Sequence, residues 1–135
     1  IESSDLVGVD VDKDMIPIIQ DEIPILALAA RFAKGNTMIR DAEELRYKES
    51  DRLNTTATEL SKLGARIKEY PDGLLIQGTG SLNGGSCKAH NDHRIAMMLG
   101  IAGLLAKDPV TLTGSEVVDI SYPNFWKDLE TISKV

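Results

Sequence analysis

The chain repeats itself at an offset of 73 residues. At that spacing Leu26 meets Leu99, Ala29 meets Ala102, Ala33 meets Ala106, Lys34 meets Lys107, Ile39 meets Leu112 and Glu43 meets Glu116. Such a chain is constrained to fold as two copies of one supersecondary unit, each burying an apolar face against its neighbour. Each copy reads helix, strand, acidic loop, helix. The first copy then closes with a hairpin. The second ends at Val135 without one, so its sheet lacks its last strands and keeps an unpaired edge. Either another segment supplies those strands or the piece is marginal alone. A first residue Ile1 rather than Met adds the expectation of a processed protein or an excised piece of a longer one.

The elements follow from periodicity. Residues 7–12, VGVDVD, alternate like a strand. Residues 21–35 are apolar nearly all round and end in Lys-Gly, a buried helix with Pro24 tolerated in its first turn. TMIR, 37–40, is a short strand. Leu53, Ala57, Leu60 and Leu63 recur at three and four residues, giving a helix over 50–63 that stops at Gly64. Residues 65–70 and 74–78 form a hairpin around Pro71, Asp72 and Gly73. Residues 78–86 read as a flexible loop. Its glycines at 78, 80, 84 and 85 lack the Lys-Ser/Thr that completes a phosphate-binding P-loop. Residues 92–107 form a second buried helix capped by Asp92. Residues 110–114 are a strand, and residues 123–134, opening on Pro123, are an amphipathic helix. Met97 and Met98 are core filling, and Phe125 and Trp126 anchor the last helix.

Composition narrows the class. Hydrophobic residues make up 42% of the 135 and aromatics 4%, so the core is Leu, Ile, Val, Ala and Met, as in layered α/β proteins. A net charge of −6 argues against generic binding to nucleic acid or to an anionic membrane. Any cations that hold an anion must therefore be gathered locally. The single cysteine, Cys87, permits no internal disulfide and fits a reducing, cytoplasmic setting. No signal peptide is visible, and the longest apolar stretch, 95–106, is too short to span a bilayer.

Three helix starts carry charges worth weighing. In LRYKESDRL, 45–53, Lys48 and Arg52 flank Glu49 and Asp51 at the mouth of a helix. Cations there oppose the helix dipole at roughly 0.3–1 kcal/mol each. The free backbone N–H groups and the two cations would suit a phosphate or carboxylate, with Glu49 a tunable acid or base. The plainer reading is a capped, salt-bridged helix start, with Asp51 a first-turn acid suiting the dipole. In NDHR, 91–94, Arg94 again lies in a first turn, His93 can shuttle a proton, and Asp92 caps. Asp21 is either an N-cap or a general base. It is one repeat from Arg94 (94 − 21 = 73), so the two occupy equivalent places on equivalent helices. If the units point their helix starts to one side, Asp21, the Lys48–Arg52 cluster and His93–Arg94 share a surface. A metal reading rests on Cys87, His90 and His93, whose spacing offers three zinc ligands and no evident fourth.

These motifs together resemble the C-terminal part of the 5-enolpyruvylshikimate-3-phosphate synthase family, on DEIPILALAARFAKGNT, ELRYKESDRL, ATELSKLGA, NDHRIAM and SYPNFW, in the family's order and spacing. The resemblance covers nearly the whole chain. It implies an α/β fold of the enolpyruvyl transferase type, an inside-out α/β barrel of six βαβαββ units in two domains. This chain would supply about two units: residues 1–78 one unit and 79–135 an incomplete second, together the C-terminal part of the second domain. In the family the closing strands come from the chain's extreme N-terminus. The implied reaction transfers the enolpyruvyl group of phosphoenolpyruvate to shikimate 3-phosphate and releases phosphate. By resemblance Asp21 falls on the general base, Glu49 on the acid that protonates the methylene, Lys48 on a shikimate 3-phosphate contact, and Arg52 and Arg94 on the phosphoenolpyruvate-binding arginines. His93 is a supporting polar group. No metal or organic cofactor is expected, and the partner is the missing N-terminal domain. Two places depart: Glu44 stands where the family often has Asn, and Ile120 where it has a phosphate-binding lysine. The nearby Lys127 lies on the last helix. The isolated chain is expected to be inactive. A rival from the residues alone is a non-catalytic anion-binding or assembly module.

Overall fold

The structure, a computed structural model, describes residues 2–78 and 80–134. Ile1, Val135 and Thr79, where the sequence puts the start of the second unit, lie outside the described residues. The first repeat runs β1 (Asp10–Val11), α1 (Ile16–Ile19), α2 (Ile23–Phe32), β2 (Asn36–Ile39), α3 (Arg52–Lys62), β3 (Arg66–Tyr70) and β4 (Gly73–Gln77). Its sheet has the order β1-β2-β4-β3, with β1 parallel to β2 and the other pairs antiparallel. The second repeat runs β5 (Gly85–Lys88), α4 (His93–Leu105), β6 (Val110–Thr113) and α5 (Phe125–Ser133). Among the described residues β5 and β6 pair only with each other as a sheet, in parallel. The topology is βαβαββ followed by βαβα, with the expected unfinished second sheet. No helix of the described residues is long and apolar enough to cross a membrane.

The expected apolar stripe of α3 is buried at Leu53, Ala57, Leu60 and Leu63, and Gly64 ends the helix at φ 88°. Helices α2, α3 and α4 pack on one another. One core cluster spans both repeats, joining Val11, Ile23, Ile39 and Leu60 to Ile95 and Leu99. Burying each such side chain contributes roughly 1.5–3 kcal/mol. A smaller cluster of Ala96, Val118, Phe125 and Leu129 seats α5. There Trp126 donates its indole N–H to the Ser115 carbonyl at 3.1 Å and meets Phe125 edge-to-face at 4.9 Å. Met98 is buried as expected, while Met97 is only partly so.

Three expectations are corrected. First, β5 begins within the stretch read as a flexible loop, at Gly85. That stretch is pinned: Gly80 N–H donates to the Arg31 carbonyl, Asn83 N–H to Leu63 and Gly85 N–H to Pro109. The buried Arg31 guanidinium adds bonds to the Gly64, Gln77 and Ser81 carbonyls. The hidden signal was a change of offset. The first strands repeat at 76 rather than 73: Leu6 matches Leu82, Gly8 matches Gly84 (84 − 8 = 76) and Val11 matches Cys87. The structure bears this out, since Leu6 O accepts from Lys34 N and Leu82 O from Lys107 N. Both matched glycines are demanded by close approach, because a Cβ would stand 2.1 Å from Asn36 O at Gly8 and 2.5 Å from Pro109 O at Gly84.

Second, Asp21 does not cap α2. It lies in a 3-10 turn, Gln20–Glu22, and α2 starts at Ile23. Pro24 has no N–H to give residue 20, so the α-helix cannot begin a turn earlier. Its repeat equivalent, Met97, has one, and α4 does begin a turn earlier, at His93. Third, Asp51 is not a first-turn acid but the N-cap of α3, accepting from Asn54 N–H at 3.1 Å. The strand read over 7–12 shrinks to Asp10–Val11 plus a bridge between Val7 and Lys34. The acidic loops hold 3-10 turns at Glu43–Tyr47 and Ser115–Ile120.

Candidate active site

Arg52 stands at the centre of the converging helix starts. It opens α3 but points inward and is 1% exposed. Its Nε donates to Asp92 Oδ2 at 2.9 Å and its Nη2 to Asp92 Oδ1 at 3.2 Å, a bidentate grip on the N-cap of α4. Nη1 donates to Asp21 Oδ1 at 2.9 Å, and Nη2 also donates to Glu49 Oε2 at 2.7 Å. Three carboxylates from three parts of the chain thus meet on one guanidinium. Arg94 joins them, 3.9 Å from Asp21 Oδ2 and 3.9 Å from Glu22 Oε1.

The partners fall into two kinds. Asp92 is fully buried, and it also accepts from the Ser50 hydroxyl at 2.8 Å and the Arg94 N–H at 3.0 Å. Burial pushes its carboxyl up, but the Arg52 bonds, the Ser50 hydroxyl and the Arg52 charge outweigh that and hold it below the ordinary value. Burial likewise opposes the charge on Arg52, and Asp92, Glu49 and Asp21 together raise it above its usual value. The Asp21 and Glu49 side chains, by contrast, are 45% and 49% exposed. An incoming anion can displace them from Arg52 far more readily than it can displace Asp92. Asp92 and Ser50 were missed as partners because the sequence signals of each, a cap and the first residue of a helix, are local.

The two arginines differ in spare capacity. The Arg52 fork already meets three carboxylates. Arg94 has only the two long pairs, and its buried Nε has no hydrogen-bond partner. Arg94 is therefore the better-placed grip for a new anion. Arg52 opposes the dipole of α3, and what offsets that cost is Asp92, across the repeat. Lys48 and His93 are half-buried, and their side chains make no hydrogen bond or ion pair among the described residues; chain adjacency sets them beside Glu49 and Asp92. A cleft of about 200 Å³ adjoins, with Asp21, Glu22 and Arg94 on its polar side and Ile25, Met97 and Phe125 among its apolar walls. Those walls suit no multiply anionic molecule, so the polar chemistry belongs to the rim.

Other candidates lie elsewhere. Glu44 lines a separate acidic depression with Lys13, Asp41, Glu43 and Asp72. Ile120 ends a 3-10 turn with 80% exposure, and Lys127 on α5 makes no ion pair among the described residues. The metal trio does not assemble. Cys87 is buried, with its thiol pushed up to about 11 by burial and by Glu59, and the His90 ring lies 2.6 Å from Glu59. No group of three or more His, Cys, Asp and Glu among the described residues is arranged to hold a metal.

Comparison with known proteins agrees with this architecture. The family profile described as EPSP synthase (3-phosphoshikimate 1-carboxyvinyltransferase) matches residues 2–129. A 3-phosphoshikimate 1-carboxyvinyltransferase of Thermoanaerobacter sp. (strain X514) is 48% identical over 132 residues, which is 98% of this chain and 31% of that protein. One from Desulforudis audaxviator (strain MP104C) is 52% identical over the same shares. Among solved structures, EPSP synthase from Acinetobacter baumannii superposes with a TM-score of 0.89 at 38% identity, covering 96% of this chain and 30% of that one. The enolpyruvyl transferase NikO from Streptomyces tendae superposes at 0.74 with 26% identity, covering 96% and 29%. The chain thus spans about 31% of the length of the curated relatives it matches.

Proposed function

The chain belongs to the EPSP synthase family, and from that premise we propose that it forms the C-terminal part of a 3-phosphoshikimate 1-carboxyvinyltransferase. In this reading residues 1–78 are one unit and 79–135 an incomplete second unit of the second domain, and the helix starts form one half of a cleft site. The observation that carries it is the meeting of Asp21, Glu49 and Asp92 on Arg52, with Arg94 beside Asp21. That set puts two displaceable carboxylates, Asp21 and Glu49, beside two arginines, of which Arg52 is held in place by Asp92.

The roles are those the family resemblance implies, and exposure and partners support them. Asp21, released from Arg52 by substrate, takes the proton of the shikimate 3-phosphate hydroxyl as its oxygen bonds to C2 of phosphoenolpyruvate. Glu49 delivers a proton to the methylene carbon. In the second half the methyl carbon returns a proton as the C2–O bond to phosphate breaks and phosphate leaves. Arg94, with its unpartnered Nε, grips phosphoenolpyruvate, and Arg52 completes the grip once Glu49 or Asp21 swings away. Lys48 meets the shikimate 3-phosphate and His93 supports the anion. The work is done by side chains alone, without metal or organic cofactor. The facing half of the site comes from the N-terminal domain, so 135 residues by themselves are inactive. The single cysteine, buried and unpaired, suits action in the cytoplasm.

Phosphate release from the two substrates tests this. A protein extended to the relatives' full length turns over, the 135-residue chain does not, and Asp21→Asn or Glu49→Gln lowers kcat by roughly 100-fold or more. Normal turnover by the isolated chain, or by either variant, would overturn the assignment.

A further inference from the structure

Helix α3 holds the turn between β5 and α4 at two points, and only the first belongs to the site described. Arg52 takes Asp92. Seven residues along the same helix face, Glu59 is fully buried. Its Oε2 accepts the Lys88 backbone N–H at 3.0 Å, and its Oε1 accepts from the His90 ring Nε2 at 2.6 Å and from Lys62 Nζ at 2.8 Å. The turn it grips is an unusual one. His90 and Asn91 both sit in the left-handed region, at φ 55° and 57°. Two consecutive non-glycine residues hold that conformation only where surrounding contacts dictate it. The next three residues are Asp92, His93 and Arg94.

We infer that Glu59 is a positioning residue: by binding Lys88 N–H and the His90 ring it fixes the 88–91 turn, so that Asp92 meets Arg52 and Arg94 faces the anion. A buried carboxylate is a poor choice for stability alone, since an apolar side chain of similar volume is often as stable. Here the charge has a specific use, which is to hold a backbone N–H and a ring on a strained turn at once. Burial pushes the Glu59 carboxyl up, but Lys62, His90 and the Lys88 N–H outweigh it and keep the anchor ionised at neutral pH. Glu59 touches no reacting group; it acts through the residues that do.

The inference rests on the proposed function for its kinetic consequence but not for its structural one, and the two are read separately in the full-length protein that contains this chain. Glu59→Gln keeps the shape but loses the charge and one acceptor. His90→Asn removes the ring while tolerating the left-handed backbone. Expected for Glu59→Gln is a KM for phosphoenolpyruvate raised roughly 10-fold or more, with the KM for shikimate 3-phosphate within about twofold. His90→Asn shifts the same constant in the same direction by roughly 3-fold. Amide hydrogen exchange over 88–94 quickens in both. A merely structural role would lower the active fraction, so kcat would fall with both KM values unchanged, and that result overturns the inference. If Glu59→Gln does not fold, His90→Asn decides by the same criteria. An unmodified protein that releases no phosphate from the two substrates sinks the functional reading instead. In that case unchanged exchange over 88–94 still overturns the pin, and faster exchange upholds it.

Discussion

The two repeats share a backbone plan and differ where chemistry is at stake. The first has a complete four-stranded sheet and carries acids, Asp21 and Glu22, in the 3-10 turn before its buried helix. The second has two strands and opens the equivalent helix on His93 and the cation Arg94. Because Asp21 and Arg94 are repeat partners brought within 3.9 Å, the same plan used twice with opposite charge makes an ion-paired mouth. Opposite charges at one repeat position thus build a polar site on a shared plan, with only the helix start shifted by a turn.

Cutting the tie between the repeats has the largest effect. Arg52→Ala leaves Asp92 buried without its guanidinium and costs about 3–5 kcal/mol of stability, measured by urea unfolding of the full-length protein. A cost below about 1 kcal/mol would mean that Asp92 finds water instead. Acid does the same reversibly. Asp92 and Glu59 are both held below the ordinary carboxylate value, so each binds its proton less readily folded than unfolded. Their contribution is complete above about pH 4 and is lost as pH falls through the folded values. Unfolding midpoints followed by circular dichroism should drop below pH 4, and drop less in Asp92→Asn measured against its own neutral value.

The sheets give the next contrast. Ile39 is fully buried in β2 while its equivalent Leu112 in β6 is partly exposed. Ile39→Ala costs about 3 kcal/mol and Leu112→Ala clearly less. Equal costs would show the second sheet to be packed as well as the first. The smallest contrast lies at the later helix starts, Asp51 and Asn124 (124 − 51 = 73). Asp51 caps α3 through its side chain, whereas Asn124 makes no side-chain cap bond to α5. Asp51→Ala costs about 1 kcal/mol and Asn124→Ala a few tenths, read as thermal midpoints.

Much of the fold was legible because periodicity is local. The stripe on α3, the apolar α2 and α4 and the hairpin all declare themselves within a few residues, and the 73-residue repeat announced two units. Strand β5 was not legible at that offset, because three more residues separate strand from helix in the first repeat than in the second. The start of α2 hinged on the missing N–H of Pro24. Of the site, Asp21, Glu49, Arg52 and Arg94 were legible as charges at helix starts. Their allotment of partners was not: Asp92 read as a cap, and Ser50 and Glu59 only as positions within the helix over 50–63.

The sequence alone determined that the chain folds as two α/β repeats with an unfinished sheet, and which charged side chains sit at helix starts. Only the tertiary structure decided which of those charges would be spent on each other. It turned Arg52 inward onto Asp92, 40 residues away, left Arg94 with an unpartnered Nε, and set Glu59 beneath the turn that carries Asp92. Apolar spacing is a property of neighbours in the chain. The pairing of buried charges depends on which helix ends meet once the core has closed, and on the cost of leaving any of them there without a partner.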